Sequence, residues 1–173
     1  SRARIVRLRR PPSTQAISPT TSDVGPAQLV AELAVEIDGP LPLGPFAVLE
    51  CRPQPSMACF NVSWGIADAL GEHGWPATHI TESDPIGPAC AEVVEAAGDM
   101  PILVVVRDAC VHVWQSAVID AVVESRPNSV VVVELGWPGD HRATHAVSVV
   151  THGAARSSAQ AVIDRLVMPE KEP

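Results

Sequence analysis

A three-layer α/β/α sandwich on a mostly parallel, flavodoxin-like sheet of about five strands is what three observations predict. The stretches PILVVVRDA (Pro101–Ala109) and SVVVVELGWPGD (Ser129–Asp140) each hold a short, continuous, Val-rich apolar run bounded by Pro, Asp, Asn or Gly. Alternation disappears when helices cover a strand on both faces, so these runs read as buried parallel strands. Between them Val111, Trp114, Val118, Ala121 and Val122 recur every three or four residues, which gives one apolar helix face. Strand, helix and strand within ~35 residues make a βαβ unit with parallel strands and a right-handed crossover. Strand and helix signals alternate along most of the remaining chain, which extends the unit into a sandwich.

In chain order, residues 1–26 read as a linker or as the end of a missing upstream domain, 27–168 as the α/β domain and 169–173 as a polar tail. SRARIVRLRR places Ile5 and Leu8 at a helical interval among arginines, and Pro11–Pro26 is a Pro/Ser/Thr connector that supports no core. A weak helix is expected near Ala27–Leu33, and an edge strand at Ala34–Ile37 ended by Asp38-Gly39-Pro40. Phe46–Cys51 is the first central strand. Trp64, Ile66, Ala67 and Leu70 form a short helix closed by Gly71 and Gly74, and Ala77–Ile80 is a brief strand. Asp84-Pro85 reads as an N-cap and first-turn proline for a helix with Ala89, Val93, Ala96 and Ala97 inward, ending at Gly98. Beyond the Val-rich unit, Asp140–Val147 reads as a helix and Val149–His152 as the last strand. Ser157 or Ser158 then caps a helix with Val162, Ile163 and Leu166 inward.

A chain of 173 residues suits one domain burying roughly two-thirds of its unfolded surface. Five of the twelve basic residues (Arg2, Arg4, Arg7, Arg9, Arg10) precede Pro11, and the remainder sets seven basic against twenty acidic residues, a net −13. Phosphate binding needs clustered Lys and Arg, so a nucleic-acid surface on the folded part is not expected. The four cysteines (Cys51, Cys59, Cys90, Cys110) show no C-x-x-C spacing, which argues for reduced thiols, no metal centre and a cytoplasmic setting. The sequence holds no apolar run long enough to span a membrane and no signal-like apolar segment.

In open parallel sheets ligands bind beyond the C-terminal strand ends. Here those positions are Arg52–Asn61, Thr81–Asp84, Arg107–Val111, Gly136–Asp140 and His152–Arg156. None carries a glycine-rich phosphate fingerprint, and no cofactor is expected. Cys110 with His112 offers a strand–nucleophile–helix arrangement, but RDACVH lacks the flanking glycines of a strained elbow, so a packed, core-facing thiol is expected, with Asp108 as the helix N-cap. His141 and His145 stand four apart without an evident third ligand. Trp137 is read as a contact to another domain rather than a sugar platform, because the chain has four Trp, two Phe and no Tyr. Asp108, Glu134 and Asp140 gather near strand ends, which geometrically allows a carboxylate pair of the kind glycoside hydrolysis needs. Glu134 lies in an apolar strand, where a paired or edge-facing role is expected. The residues at the interface or ligand edge are thus Asp108, His112, Trp137 and Asp140, and none is assigned to catalysis.

VVVRDA, the His-x-Trp-Gln of His112–Gln115, the Arg126-Pro127 before the next strand and VVVVELGWPG together resemble the C-terminal domain of glycoside hydrolase family 3. The likeness is to the bacterial β-N-acetylhexosaminidase branch, and it runs from about Leu33 to Leu166. It implies that the glycosidase site, the acid/base apparatus and the carbohydrate substrate all belong to a (β/α)8 barrel absent from this sequence. That barrel would be the partner of a non-catalytic accessory domain, and the domain alone would be prone to weak self-association. A stand-alone cysteine hydrolase using Cys110 and His112, and a carbohydrate- or protein-binding module centred on Trp137, are the alternatives.

Overall fold

The sheet is six-stranded, in the order β1-β6-β5-β4-β2-β3. The computed structural model describes residues 25–42, 44–53, 65–138 and 146–167. Along the chain these give α1 (Pro26–Ala34), β1 (Glu36–Asp38), β2 (Ala47–Cys51), α2 (Ala67–Glu72), β3 (Ala77–Ile80), α3 (Ile86–Ala97) and β4 (Ile102–Val106). There follow α4 (Val113–Ser125), β5 (Val130–Glu134), β6 (Val147–Val150) and α5 (Arg156–Val167). Strands β2 to β6 are all parallel to one another. The sixth strand is β1, which pairs antiparallel with β6 at the edge, Ile37 opposite Val149. Numbered among themselves, the five parallel strands lie in the flavodoxin-like order 2-1-3-4-5, whose switch point falls between β2 and β4.

Every residue of β2, β4 and β5 is buried, which is why hydropathy shows no alternation in them. The side chains nevertheless alternate between two cores. Val48, Leu103, Val105, Val131, Val133 and Val149 meet Ala31 of α1, Ala67 and Leu70 of α2 and Ala161, Val162 and Leu166 of α5. On the opposite face Leu49, Cys51, Val104, Val106, Val130 and Val132 meet Cys90, Val93 and Ala97 of α3 and Val118, Ile119 and Val122 of α4. These are the three layers. None of the described helices is long and apolar enough to cross a membrane.

Local signals explain most boundaries. Pro26 sits at the first position of α1, where its missing N–H costs nothing. Pro88 falls in the first turn of α3 for the same reason, and Gly98 ends that helix at φ 53°.

Several expectations need correction. Asp84 does not cap α3. Its carboxylate accepts from the Thr81 N–H (2.7 Å) and hydroxyl (2.8 Å), closing the preceding turn, and the extended backbone of Pro85 delays the helix to Ile86. Gly71 lies within α2 rather than closing it, whereas Gly74 takes the left-handed turn at φ 82°. Ser157 and Ser158 lie inside α5, which starts at Arg156, and Ser158 is buried. Val147 belongs to β6, not to a helix, and His152 lies past that strand at φ 55°. Ile5, Leu8, Cys59, Trp64, Asp140, His141 and His145 lie outside the described residues.

Candidate functional site

Beyond the C-terminal ends of β4 and β5 the chain builds one hydrogen-bonded block from three of the residues singled out above. Glu134, the last residue of β5, is buried and accepts three backbone N–H groups: Asp108 (2.8 Å), Ala109 (3.1 Å) and Gly136 (2.7 Å). Loop amides that turn away from a sheet need acceptors when they are buried, and a carboxylate satisfies several at once. Burial pushes the Glu134 carboxyl above its ordinary range. The three N–H groups pull it back only in part, and the nearby Asp108 adds to the rise. Glu134 is therefore a paired residue, and the pairing is with backbone.

Asp108 caps no helix. It sits at φ 54°, and its Oδ1 accepts the Trp137 N–H at 2.8 Å. Helix α4 starts five residues later, after a turn in which the Asp108 carbonyl accepts from the amides of Val111 and His112. That turn also removes Val111 from the helix face to which its spacing assigned it, and it takes Cys110 off any helix N-terminus. Gly136 lies so close that a Cβ there would fall on Asp108, which fixes a glycine between Glu134 and Trp137.

Gln115 completes the block and was not singled out as a site residue, although it belongs to the His-x-Trp-Gln motif. Fully buried, it accepts the Arg107 N–H through Oε1 and donates through Nε2 to the Arg107 carbonyl, both at 2.9 Å. An amide side chain in this position acts as an extra strand partner for one residue. Ser116 donates to the Ala109 carbonyl at 2.9 Å, so the first turn of α4 holds the loop from outside.

This framework presents apolar side chains outward. Val111, Val113 and Trp137 are each two-thirds or more exposed. The Trp137 ring meets His152 edge-on with centroids 6.4 Å apart, and His152 Nε2 lies 3.1 Å from Glu36. Cys110 is half-buried rather than core-facing, with Sγ 3.5 Å from the Trp137 carbonyl. His112 precedes α4 without capping it through its side chain.

A second carboxylate, which sequence reasoning missed, repeats the device at the end of β2. Glu50 is fully buried and accepts from Ile66 N (2.8 Å), Ala67 N (2.9 Å) and Arg52 Nε (2.7 Å). Arg52 reaches on to Asp68 at 2.9 Å, and His79 bridges Asp68 (2.9 Å) and Glu50 (3.6 Å). Burial works against both charges, yet the Arg52 guanidinium is held more basic than usual by Glu50 and Asp68, and Asp68 is held below the ordinary carboxylate range by Arg52 and His79. Gly65, at φ 104°, has no room for a Cβ beside the Glu50 carboxylate. The available signal was a glutamate near the end of an apolar strand, AVLEC, the same pattern as VVVVE.

No family model matches the chain, and no curated protein matches it. Among solved structures, a glycoside hydrolase family 3 β-N-acetylglucosaminidase from Paenibacillus sp. str. FPU-7 shares the fold with a TM-score of 0.58 at 18% identity. The similarity covers 89% of this chain and 33% of that one, so this chain spans about a third of its neighbour's length.

Proposed function

We propose that this chain is the non-catalytic C-terminal accessory domain of a larger family 3 glycoside hydrolase that acts on N-acetylglucosaminyl linkages. The glycosidase site would lie on a (β/α)8 barrel outside this sequence. The observation that carries the reading is the asymmetric likeness: nearly the whole chain fits a third of a glycoside hydrolase family 3 β-N-acetylglucosaminidase. The arrangement of Asp108, Glu134 and Glu50 supports it, because each carboxylate already accepts backbone N–H groups that acid/base work would leave unpaired. The outward Val111, Val113 and Trp137 supply the apolar centre of a contact to the barrel. Burial pushes the Cys51 and Cys90 thiols up, away from reactivity, which fits packed cysteines in the reducing cytoplasm.

The test is to supply the chain alone, and then joined to its upstream coding sequence, with a chromogenic β-N-acetylglucosaminide. Turnover is expected only in the joined form. Hydrolysis by the isolated chain that disappears in Asp108→Asn or Cys110→Ser would overturn the reading.

A further inference from the structure

Helix α1 turns its larger apolar side chains away from its own domain. Ala31 is buried, and Val35, just past the helix, joins it in the core shared with α5. Leu29, Val30 and Leu33 are instead 54%, 65% and 80% exposed. At ~100° per residue these three and Pro26 fall within one stripe, on the side opposite Ala31 and Val35. The other exposed residue, Ala27, is apolar too. The two polar residues of the helix, Gln28 and Glu32, are half-buried and hydrogen-bond each other at 3.3 Å. A helix covered on one side only turns polar residues to water, so one that is apolar on both sides is built to be covered twice.

Only Val35 separates α1 from β1, whose first residue, Glu36, lies 3.1 Å from His152 Nε2, and the His152 ring meets the outward Trp137. The last turn of α1 is thus tied to the corner that carries Trp137. The described residues begin at Gly25, directly before α1, so α1 is the first element that a preceding domain meets along the chain. Size separates such a domain from a second copy as the occupant. A nine-residue helix is ~13 Å long and ~10 Å across, far short of the ~800 Å² per partner that holds two free molecules together. A domain in the same polypeptide needs much less, because the connection keeps it at an effective concentration on the order of mM. We propose that α1 is a shared helix, whose Leu29–Val30–Leu33 stripe seats an apolar patch of the upstream domain. The proposal rests on the reading of this chain as an accessory domain, and it adds α1 to the contact that Val111, Val113 and Trp137 supply.

Hydrogen exchange compares the 173-residue chain with the same chain joined to its upstream coding sequence, both dilute. Joining should slow exchange of the α1 amides about tenfold and leave β4 and β5 unchanged, and Leu29→Ser/Leu33→Ser in the joined protein should remove that protection. Turnover of a chromogenic β-N-acetylglucosaminide by the same joined protein reads the accessory-domain proposal separately. An active joined protein whose α1 exchanges as in the single chain overturns the shared helix and leaves that proposal standing. An inactive one whose α1 is protected, with the protection lost in the double variant, supports the shared helix and overturns the glycosidase reading. Protection that the single chain gains as its own concentration rises, and that joining does not increase, makes a second copy the occupant and overturns the shared helix.

Discussion

The Trp137 amide donates to Asp108 Oδ1 at 2.8 Å across a sequence separation of 29 residues, and this bond sets the outward indole on the loop after β4. Two demands meet at Asp108. Its φ of 54° suits Asn, Asp or Gly, and its side chain must accept a hydrogen bond. Asp108→Asn meets both and should be nearly neutral. Asp108→Gly keeps only the conformation, and Asp108→Ala keeps neither and should cost about 1–3 kcal/mol. Urea midpoints should rank Asn above Gly above Ala, with Trp137 fluorescence shifting in the latter two. Equal midpoints for all three would mean that the bond holds nothing.

The close approaches at Gly65 and Gly136 make a sharper prediction. An alanine methyl at either would fall on a charged side chain, Glu50 or Asp108, and Gly65 also needs positive φ. Gly65→Ala should destabilise more than about 3 kcal/mol, because the displaced carboxylate is fully buried and would leave two amides unsatisfied. Gly136→Ala should cost less, since half-exposed Asp108 has somewhere to go. The exposed turn residue Gly74 provides the scale, at about 1 kcal/mol for its left-handed φ alone. Chemical denaturation of the three variants gives the order, and a Gly65→Ala protein no less stable than Gly74→Ala would contradict the Glu50 geometry.

Gln115 is a third test. Gln115→Leu keeps the volume but strips the partners from the Arg107 N–H and carbonyl. Losing both hydrogen bonds at this part-buried strand end should cost roughly 1–3 kcal/mol. The loss should be local, seen first as faster hydrogen exchange at residues 107–110. Uniform destabilisation without local exchange at the loop would count against the stapling role.

Much of the fold was legible because its determinants are short-range. The Val-rich runs of β4 and β5, the brief β3 and the helix ended by Gly98 lie where composition and spacing put them. The missed features depend on what lies across the sheet. The cap assigned to Asp108 failed because local pattern shows an acid before a helix. Only the fold brings the Trp137 amide to it from the next crossover. The paired role of Glu134 was legible but its partners were not, because the amides of Asp108 and Ala109 belong to the neighbouring loop. The Glu50–Arg52–Asp68–His79 cluster is drawn from two strands and a helix, which no local window contains. The exposure of Trp137 was readable because its loop follows a buried strand.

The two carboxylate clusters should pull stability in opposite directions with pH. Asp68 has a lowered folded pKa, so it binds fewer protons folded than unfolded. Its contribution is present above the ordinary carboxylate range and is lost as pH falls toward the depressed value. Glu134 has a raised folded pKa, so folding takes up a proton between the ordinary glutamate value and the raised one. Across that window stability falls as pH rises, and it reaches a plateau once Glu134 is ionised in both states. Asp68 is largely exposed, so its share is small and salt-sensitive, whereas buried Glu134 should dominate the higher window. Urea midpoints of wild type, Asp68→Asn and Glu134→Gln from acid to neutral pH separate the two. Asp68→Asn should flatten the acid limb and leave the upper one. Glu134→Gln should abolish the decline above the ordinary glutamate range, although its amide cannot accept from all three N–H groups and lowers the whole curve. A Glu134→Gln curve parallel to wild type at every pH would show that the carboxylate pays no desolvation cost, and that the three backbone amides compensate its burial fully.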